Sequence, residues 1–306
     1  MIIKKEKKNN IMIYYVNKDI TDEKMVSFKN TYVKPSQINL IINEDADVYN
    51  ADNNQLLLTF RKNKLSSANV NDFFDNVIDF AMKSTNNRGS TSGSKKKKNV
   101  WNNPKIKSNI IGYFDKLSPI QKFLMKKKNA NISLSVRECR FNVDYPEKYK
   151  KLIPLVKEID SFYKNQIPDK YHEQYKKAKQ TPFKIADTCF TTITTNVNFQ
   201  TSIHKDKGDD MDGFGNLVVI EEGKYSGGET CLPQFGIGVN VRTGDILLMD
   251  VHEWHGNLPI KEITPNAKRL SIVCYLRYNI WKNTKNKTKK FMLKHNKTIK
   301  KLRKNG

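Results

Sequence analysis

The chain has 306 residues, 38% of them hydrophobic and 28% charged, with a net charge of +24 at pH 7. Its 15 phenylalanines, 13 tyrosines and 3 tryptophans exclude wholesale disorder, and the absence of any long apolar run excludes a membrane span or a signal peptide, so a soluble intracellular protein is expected. A basic excess of this size fits a polyanionic partner, nucleic acid before an anionic membrane surface, and disfavours acidic-surface functions.

Residues 1–83 read as a small mixed segment. In DVYNADNNQLLLTFRKNKL the polar run Asp52-Asn53-Asn54 separates two short apolar runs, a hairpin pattern. NDFFDNVIDFAMK has helical spacing, with Asn71 as its expected cap. Residues 84–99, STNNRGSTSGSKKKKN, are a flexible basic loop by composition. A larger domain is expected over residues 100–281, with helical support first and core strands from about 183. Within it, Leu152, Leu155, Val156, Ile159, Phe162 and Tyr163 form one apolar helix face. Pro168 breaks that helix, and a second restarts with Asp169 as N-cap and His172 on its surface.

From Phe183 the texture changes to short runs rich in Thr, Ile and Val, separated by glycine turns. This implies an α+β protein whose antiparallel sandwich or barrel carries helices packed on one face. Residues 282–306 form a lysine-rich tail, 11 of 25 residues being Lys or Arg, expected to be disordered or helical only on a partner. The four cysteines are far apart, with no C-x-x-C pair, and read as isolated thiols.

Chemistry concentrates in one pattern. His204 and Asp206 are two apart, and on a strand such residues face one side. A third ligand is needed, and His252 or His255 in GDILLMDVHEWHGN can supply it, since His172 and His295 lie in helical or tail context. The product is a two-histidine, one-carboxylate site suited to Fe(II), with positions left for a bidentate co-substrate and O2. Arg269 opens the next strand, RLSIVCYLR, and suits bidentate pairing with the distal carboxylate of 2-oxoglutarate. His-x-Asp, a strand pair, His and then Arg is the order found in the double-stranded β-helix (jelly-roll, cupin-like) of Fe(II)/2-oxoglutarate dioxygenases. Other polar groups carry weaker signals. Gly112–Asp115 and Cys139-Arg140 line the substrate side or serve packing; Asn196, Asn198 and Gln200 face solvent or a ligand. Asp209, Asp210 and Asp212 read as a solvated loop, and the glycines of GKYSGGETCLPQFG as turn formers.

The runs FTTITTNVNFQTSIHKDKGD, GFGNLVVIEEGKYSGGETCLPQFGIGVNVRTGDILLMDVHEWHGN and RLSIVCYLR together resemble the TET/JBP family of nucleic-acid-base dioxygenases, in its J-binding-protein-like branch. The resemblance spans roughly residues 45–280 and is strongest from Thr188 to Arg277. It implies His204, Asp206 and His255 as iron ligands and Arg269 as the 2-oxoglutarate clamp, with Fe(II), 2-oxoglutarate and O2 as cofactors. His255 is preferred to His252 because Gly256 follows it and leaves room for the metal. The substrate implied is the methyl group of a pyrimidine flipped out of DNA, thymine giving 5-hydroxymethyluracil first and 5-methylcytosine second. A protein side-chain hydroxylase (prolyl or lysyl) would keep the same site, and a non-catalytic DNA-binding relative is the remaining alternative. No membrane partner is implied.

Overall fold

A computed structural model describes residues 2–85, 91, 106–129 and 132–304. The expected basic loop at 84–99 lies outside the described residues except for Ser84, Thr85 and Thr91. In chain order the elements are β1 (Ile2–Lys8), β2 (Ile11–Val16), α1 (Asp22–Phe28), β3 (Leu40–Ile42), β4 (Ala46–Asn50), β5 (Leu56–Arg61), α2 (Ser67–Ala81), β6 (Ser108–Phe114), α3 (Pro119–Lys127), β7 (Arg137–Glu138), α4 (Arg140–Asp144), α5 (Pro146–Gln166) and α6 (Pro168–Ala178). The second half holds β8 (Thr192–Val197), β9 (Gly215–Glu222), β10 (Tyr225–Gly227), β11 (Thr230–Leu232), β12 (Ile237–Val239), β13 (Ile246–Met249), β14 (Gly256–Asn257), β15 (Ile260–Glu262), β16 (Lys268–Tyr275), α7 (Tyr278–Thr284) and α8 (Lys289–Lys304).

Two compact units divide the chain: Met1–Asn109, Thr194–Lys207 and Phe214–Val273 form the first, and Ile110–Ile193, Gly208–Gly213 and Cys274–Gly306 the second. In the first unit one sheet runs in the order β1-β2-β4-β5-β13-β9-β16-β8, and a second in the order β14-β11-β12-β3. Their facing side chains share one core: Val48, Leu58, Phe60, Leu247 and Met249 come from the first sheet, and Ile42, Leu232, Ile237 and Val239 from the second. Two sheets closing on one apolar core is the jelly-roll arrangement expected from the spacing of the strands.

The N-terminal segment is built into this unit. β5 pairs antiparallel with β13, Phe60 lying opposite Leu247, and β3 pairs parallel with β12. The expected hairpin forms between β4 and β5, its turn closing through Asn54 at a φ of 56°, which asparagine tolerates better than most residues. Asn9 and Asn10 do the same for β1 and β2, with φ of 49° and 63°. Positive φ at both central residues is what a two-residue hairpin turn requires.

The helices begin somewhat differently from expectation. α2 starts at Ser67, four residues before Asn71, because Val70 is buried and extends the apolar face toward the N-terminus. α6 takes Pro168 as its first residue, where the missing N–H costs nothing, and Asp169 sits inside the first turn instead of capping it. α5 buries the expected residues except Phe162, which is only half-buried, and adds Asp160. That carboxylate accepts from the Cys189 amide at 2.7 Å and the Tyr171 hydroxyl at 3.1 Å.

In the second unit the lysine-rich tail is folded. α8 buries Met292, His295 and Ile299 along one face. Met292 joins Tyr113, Leu134, Val136, Phe183 and Ile280 in an apolar cluster, and the His295 Nε2–H donates to the Val136 carbonyl at 2.6 Å. The sparse apolar residues of the tail fall at helical spacing, so the segment finds its partner within its own chain. The four cysteines are buried and form no disulfide, and among the described residues no helix is long and apolar enough to cross a membrane.

Phe60 is fully buried at the junction of β4, β5 and β13. Phe60→Ala is expected to lower the unfolding free energy by about 3–5 kcal/mol in urea titrations; a loss under about 1 kcal/mol would contradict this packing.

Candidate metal centre

His204 lies on the segment after β8, and His255 immediately precedes β14. The two residues exchange both backbone hydrogen bonds, N–H to carbonyl at 2.9 Å in each direction. A reciprocal antiparallel pair puts both side chains on one face, and the imidazole centroids stand 4.3 Å apart. Asp206 follows two residues later, its N–H donating to the Val251 carbonyl at 3.0 Å. Its carboxylate oxygens then lie 3.6 Å from the Nε2 of His204 and 3.7 Å from the Nε2 of His255. These separations are too long for hydrogen bonds, yet the three donor atoms lie within 4.8 Å of one another, close enough for one ion to reach all three.

Each imidazole is oriented through its other nitrogen. The Nδ1–H of His204 donates to the Ser202 carbonyl at 2.7 Å, and that of His255 to the Glu253 carbonyl at 2.9 Å. A carbonyl can only accept, so Nδ1 carries the proton and Nε2 presents a lone pair to the centre. Burial, and then the neighbouring His204, push the His255 pKa down to about 4. His255 is therefore neutral at physiological pH, the form that binds metal.

The turn carrying His255 is braced from β5. The Asp250 N–H donates to the Leu57 carbonyl, and the Asp250 carboxylate accepts from the His252 N–H and the Gln55 side chain, each at 2.9 Å. β13 ends at Met249, so His252 stands in a turn and not on a strand, and strand alternation does not separate it from His255. It is the backbone exchange with His204 that brings His255 to the centre. Gly256 also works differently from expectation. A Cβ there would meet Val33 at 2.9 Å and the Thr201 carbonyl at 3.2 Å, so its missing side chain admits the neighbouring chain segment, not the metal.

Arg269, the second residue of β16, is 4% exposed, and burial lowers its pKa from the ordinary guanidinium value. Its Nε has no hydrogen-bond partner, and the Tyr225 side chain lies beside it, interacting with both Arg269 and Glu221. A buried cation with an open Nε–H suits an anionic, hydrogen-bond-accepting group such as a carboxylate. Gly228 makes room for this arrangement: at its φ of +80° a Cβ would lie 2.8 Å from the Arg269 Nε. Asn198, in the left-handed region at 46°, fixes the backbone of Arg269. It donates its N–H to the Arg269 carbonyl at 3.1 Å and accepts the Arg269 N–H on its side chain at 2.7 Å.

The other candidates take structural roles. The Asn196 side chain is buried and accepts from the Ser108 hydroxyl at 2.6 Å, and Gln200 reaches the Asn257 carbonyl at 3.4 Å. Asp115 of the Gly112–Asp115 stretch is clamped by Arg277, with both contacts at 3.1 Å. Cys139 is buried at the start of α4, while Arg140 pairs with Asp144 at 2.8 Å on the surface. The acidic run does not form a solvated loop. Asp209 and Asp210 are buried; Asp210 and Asp212 share Lys177, with the Asp212 contact at 2.6 Å, and Asp209 bridges to the backbone of Arg277. His172 is exposed, as expected. Tyr225 and the two positioning carbonyls carried no signal in the sequence, and Gly228 only that of a turn glycine, because their roles at the site arise from contacts made by folding.

The sequence profile of the Tet_JBP family, described as the oxygenase domain of the 2OGFeDO superfamily, matches residues 122–278. This chain belongs to the Tet_JBP family. The Tet_JBP match contains all four residues His204, Asp206, His255 and Arg269. Among relatives, a thymine dioxygenase JBP1 of Trypanosoma brucei brucei is 31% identical over 172 residues, 56% of this chain and 19% of the relative. A bifunctional helicase and thymine dioxygenase JBP2 of Leishmania infantum is 32% identical over 173 residues, 55% of this chain and 14% of the relative. The match thus spans a fifth or less of those relatives. The solved structure of NgTET1 in complex with 5mC DNA aligns with a TM-score of 0.54 at 15% identity, covering 84% of this chain and 86% of that one. It shows the same Tet_JBP-type fold, the α+β architecture of Fe(II)/2-oxoglutarate dioxygenases.

Each of His204→Ala, Asp206→Ala and His255→Ala is expected to weaken anaerobic Co(II) or Fe(II) binding by more than about 100-fold in calorimetry, with His252→Ala close to wild type. Strong loss in His252→Ala with His255→Ala unaffected would reverse the assignment.

Proposed function

We propose that this chain is an Fe(II)- and 2-oxoglutarate-dependent dioxygenase that hydroxylates the methyl group of a pyrimidine base in DNA, with thymine as first substrate. The observation that carries this reading is the pairing of two separate anion- and cation-binding features in one unit. His204, Asp206 and His255 converge on one point, and Arg269 lies buried with an open Nε. His204, Asp206 and His255 hold the iron; Arg269, with Tyr225 beside it, holds the distal carboxylate of 2-oxoglutarate. When bound, the iron with 2-oxoglutarate and O2 supplies the oxidation: the co-substrate leaves as succinate and CO2, and one oxygen atom enters the methyl C–H bond.

The residues of the chain prepare that chemistry. The Nδ1–H bonds of both histidines keep their Nε2 lone pairs on the metal side. Asn198 and Gly228 hold the Arg269 backbone and leave its guanidinium free to form a fork to a carboxylate. A methyl group inside a duplex cannot reach a buried centre, so the base is taken out of the stack, at a cost of a few kcal/mol that phosphate contacts offset. Thymine is preferred over 5-methylcytosine because the JBP relatives are thymine dioxygenases, whereas the 5mC-bound neighbour supports only the fold.

Incubation with thymine-containing DNA, Fe(II), 2-oxoglutarate and O2, followed by nucleoside mass spectrometry, is expected to yield 5-hydroxymethyluracil with one succinate per hydroxymethyl group. Oxidised 5-methylcytosine alone would move the substrate; no oxidised base from either DNA would remove the nucleic-acid reading. Arg269→Ala is expected to raise the 2-oxoglutarate Kd by roughly 30- to 150-fold, the loss of a charged hydrogen-bonded contact. Unchanged 2-oxoglutarate affinity in that variant would sink the clamp assignment.

A further inference from the structure

The second unit carries a lysine face that the metal centre does not use. On α8, Lys290, Lys294, Lys297 and Lys301 are all exposed. Their spacing of four, three and four residues places them within about 60° of one another around the helix, over roughly 16 Å of its length. The buried residues Met292, His295 and Ile299 lie on the opposite side. No Asp or Glu occurs after Glu262 in the whole chain, so no carboxylate on α8 neutralises this stripe. Among the described residues none of the four lysines is in an ion pair.

At the head of the same helix lies a cavity of about 410 Å³. Lys179, Lys184, Lys287 and Lys289 contribute to its wall, with Met292 at its base, and no acidic side chain lines it. Lys179 and Lys184 are steadied over the Tyr175 ring at 5.2 and 5.6 Å, and Lys287 over Phe291 at 5.0 Å. Of the four, Lys184 is paired, with Asp187 at 2.8 Å. Aromatic faces that hold ammonium groups in place around a concave, carboxylate-free wall make a receptor for anionic oxygen.

We propose that the lysine stripe of α8 is a docking face for the phosphate backbone of duplex DNA, with the pocket lysines at the head of the helix as a separate, flanking phosphate contact. It rests on the nucleic-acid reading above only in the choice of polyanion. Repetition favours DNA: a duplex presents one negative charge per about 1.7 Å of axis, so the length of the stripe spans about ten charges. A membrane-binding helix would keep its apolar face free for lipid, but on α8 that face is already packed inside the unit. The contact is indifferent to base identity and supplies the phosphate energy that base extrusion consumes.

The test measures binding to a fluorescent duplex in which uracil replaces thymine and no 5-methylcytosine is present, so that no substrate methyl group contributes. Anisotropy is recorded across a salt series. The variants are Lys290→Gln/Lys294→Gln/Lys297→Gln/Lys301→Gln, the pocket double Lys179→Gln/Lys289→Gln, and the equal-charge control Lys5→Gln/Lys7→Gln/Lys8→Gln/Lys29→Gln. Glutamine keeps helix propensity, and a Lys→Arg quadruple at the stripe, expected to bind as wild type, guards against misfolding. The stripe variant should lose affinity on the order of 100-fold or more at 0.1 M salt and lower the salt slope by about 3–4; the pocket double should lower it by about 2. The control should change affinity less than threefold, and all variants should bind Co(II) and 2-oxoglutarate as wild type does. An equal loss in the control would reduce the effect to bulk charge and overturn the proposal. So would an unaffected stripe variant, or stripe-dependent binding to phosphatidylserine vesicles without duplex binding. Failure of wild-type metal and 2-oxoglutarate binding, with duplex binding intact, would instead sink the site reading and leave this face standing.

Discussion

The reciprocal backbone pair between His204 and His255 is the constraint on which the candidate centre depends. Two residues 51 positions apart are locked by two hydrogen bonds of 2.9 Å into a geometry in which both imidazoles must project the same way. A side-chain contact alone would not achieve this, because each histidine has rotamer freedom to lose. Here the ring orientation is set a second time, by a carbonyl two residues before each histidine, Ser202 in one case and Glu253 in the other. Backbone thus determines where the rings start and where they point. Asp206 joins the set through its backbone bond to the Val251 carbonyl.

Charge is handled by a similar division of labour. Asp206 stands beside the two imidazoles, and Arg269 is buried with an Nε that meets no hydrogen-bond partner. The aspartates that follow are consumed internally, two on Lys177 and one beside Arg277. Part of the negative field of this acidic run, in a chain of net charge +24, is thereby offset at short range by Lys177. The unmatched positive charge lies elsewhere, on helices such as α8 that contain no acidic residue at all.

Much of the centre is legible before folding, because the chemistry demands rare residues in a fixed order. His204 and Asp206 are two apart in sequence, and the Gly244-Asp245 turn, a buried strand, His255 and Arg269 follow in turn. The hairpin at Asp52–Asn54 is equally legible, since asparagine tolerates the backbone geometry that the turn needs. What cannot be read is anything created by long-range pairing. Asn198 stands out in the sequence only as a polar group before His204, its hold on the Arg269 backbone appearing once Arg269 arrives opposite it, and Tyr225 has no reason to stand out until Arg269 is buried beside it. The choice between His252 and His255 rests on a register that joins two distant segments. The tail shows the same limit in reverse: a lysine-dominated composition hides three well-spaced apolar residues, Met292, His295 and Ile299 counting His295 by its buried ring, and these decide that the segment folds.

The parallel strand β3 and the antiparallel strand β5 have a consequence for how the protein can be divided. The family match begins at residue 122, yet β13, which leads into the His255 turn, is hydrogen-bonded on one side by β5 and on the other by β9. β12 likewise leans on β3. A fragment trimmed to the matching region would leave β13 with a bare row of N–H and C=O groups flanked by Ile246, Leu247, Leu248 and Met249. Such an edge is an invitation to pair with another chain, and the turn above it would lose the Leu57 carbonyl and the Gln55 amide that hold Asp250. β3 and β5 therefore belong to the scaffold of the matched domain itself, as the strands that keep β12 and β13 from being open, aggregating edges.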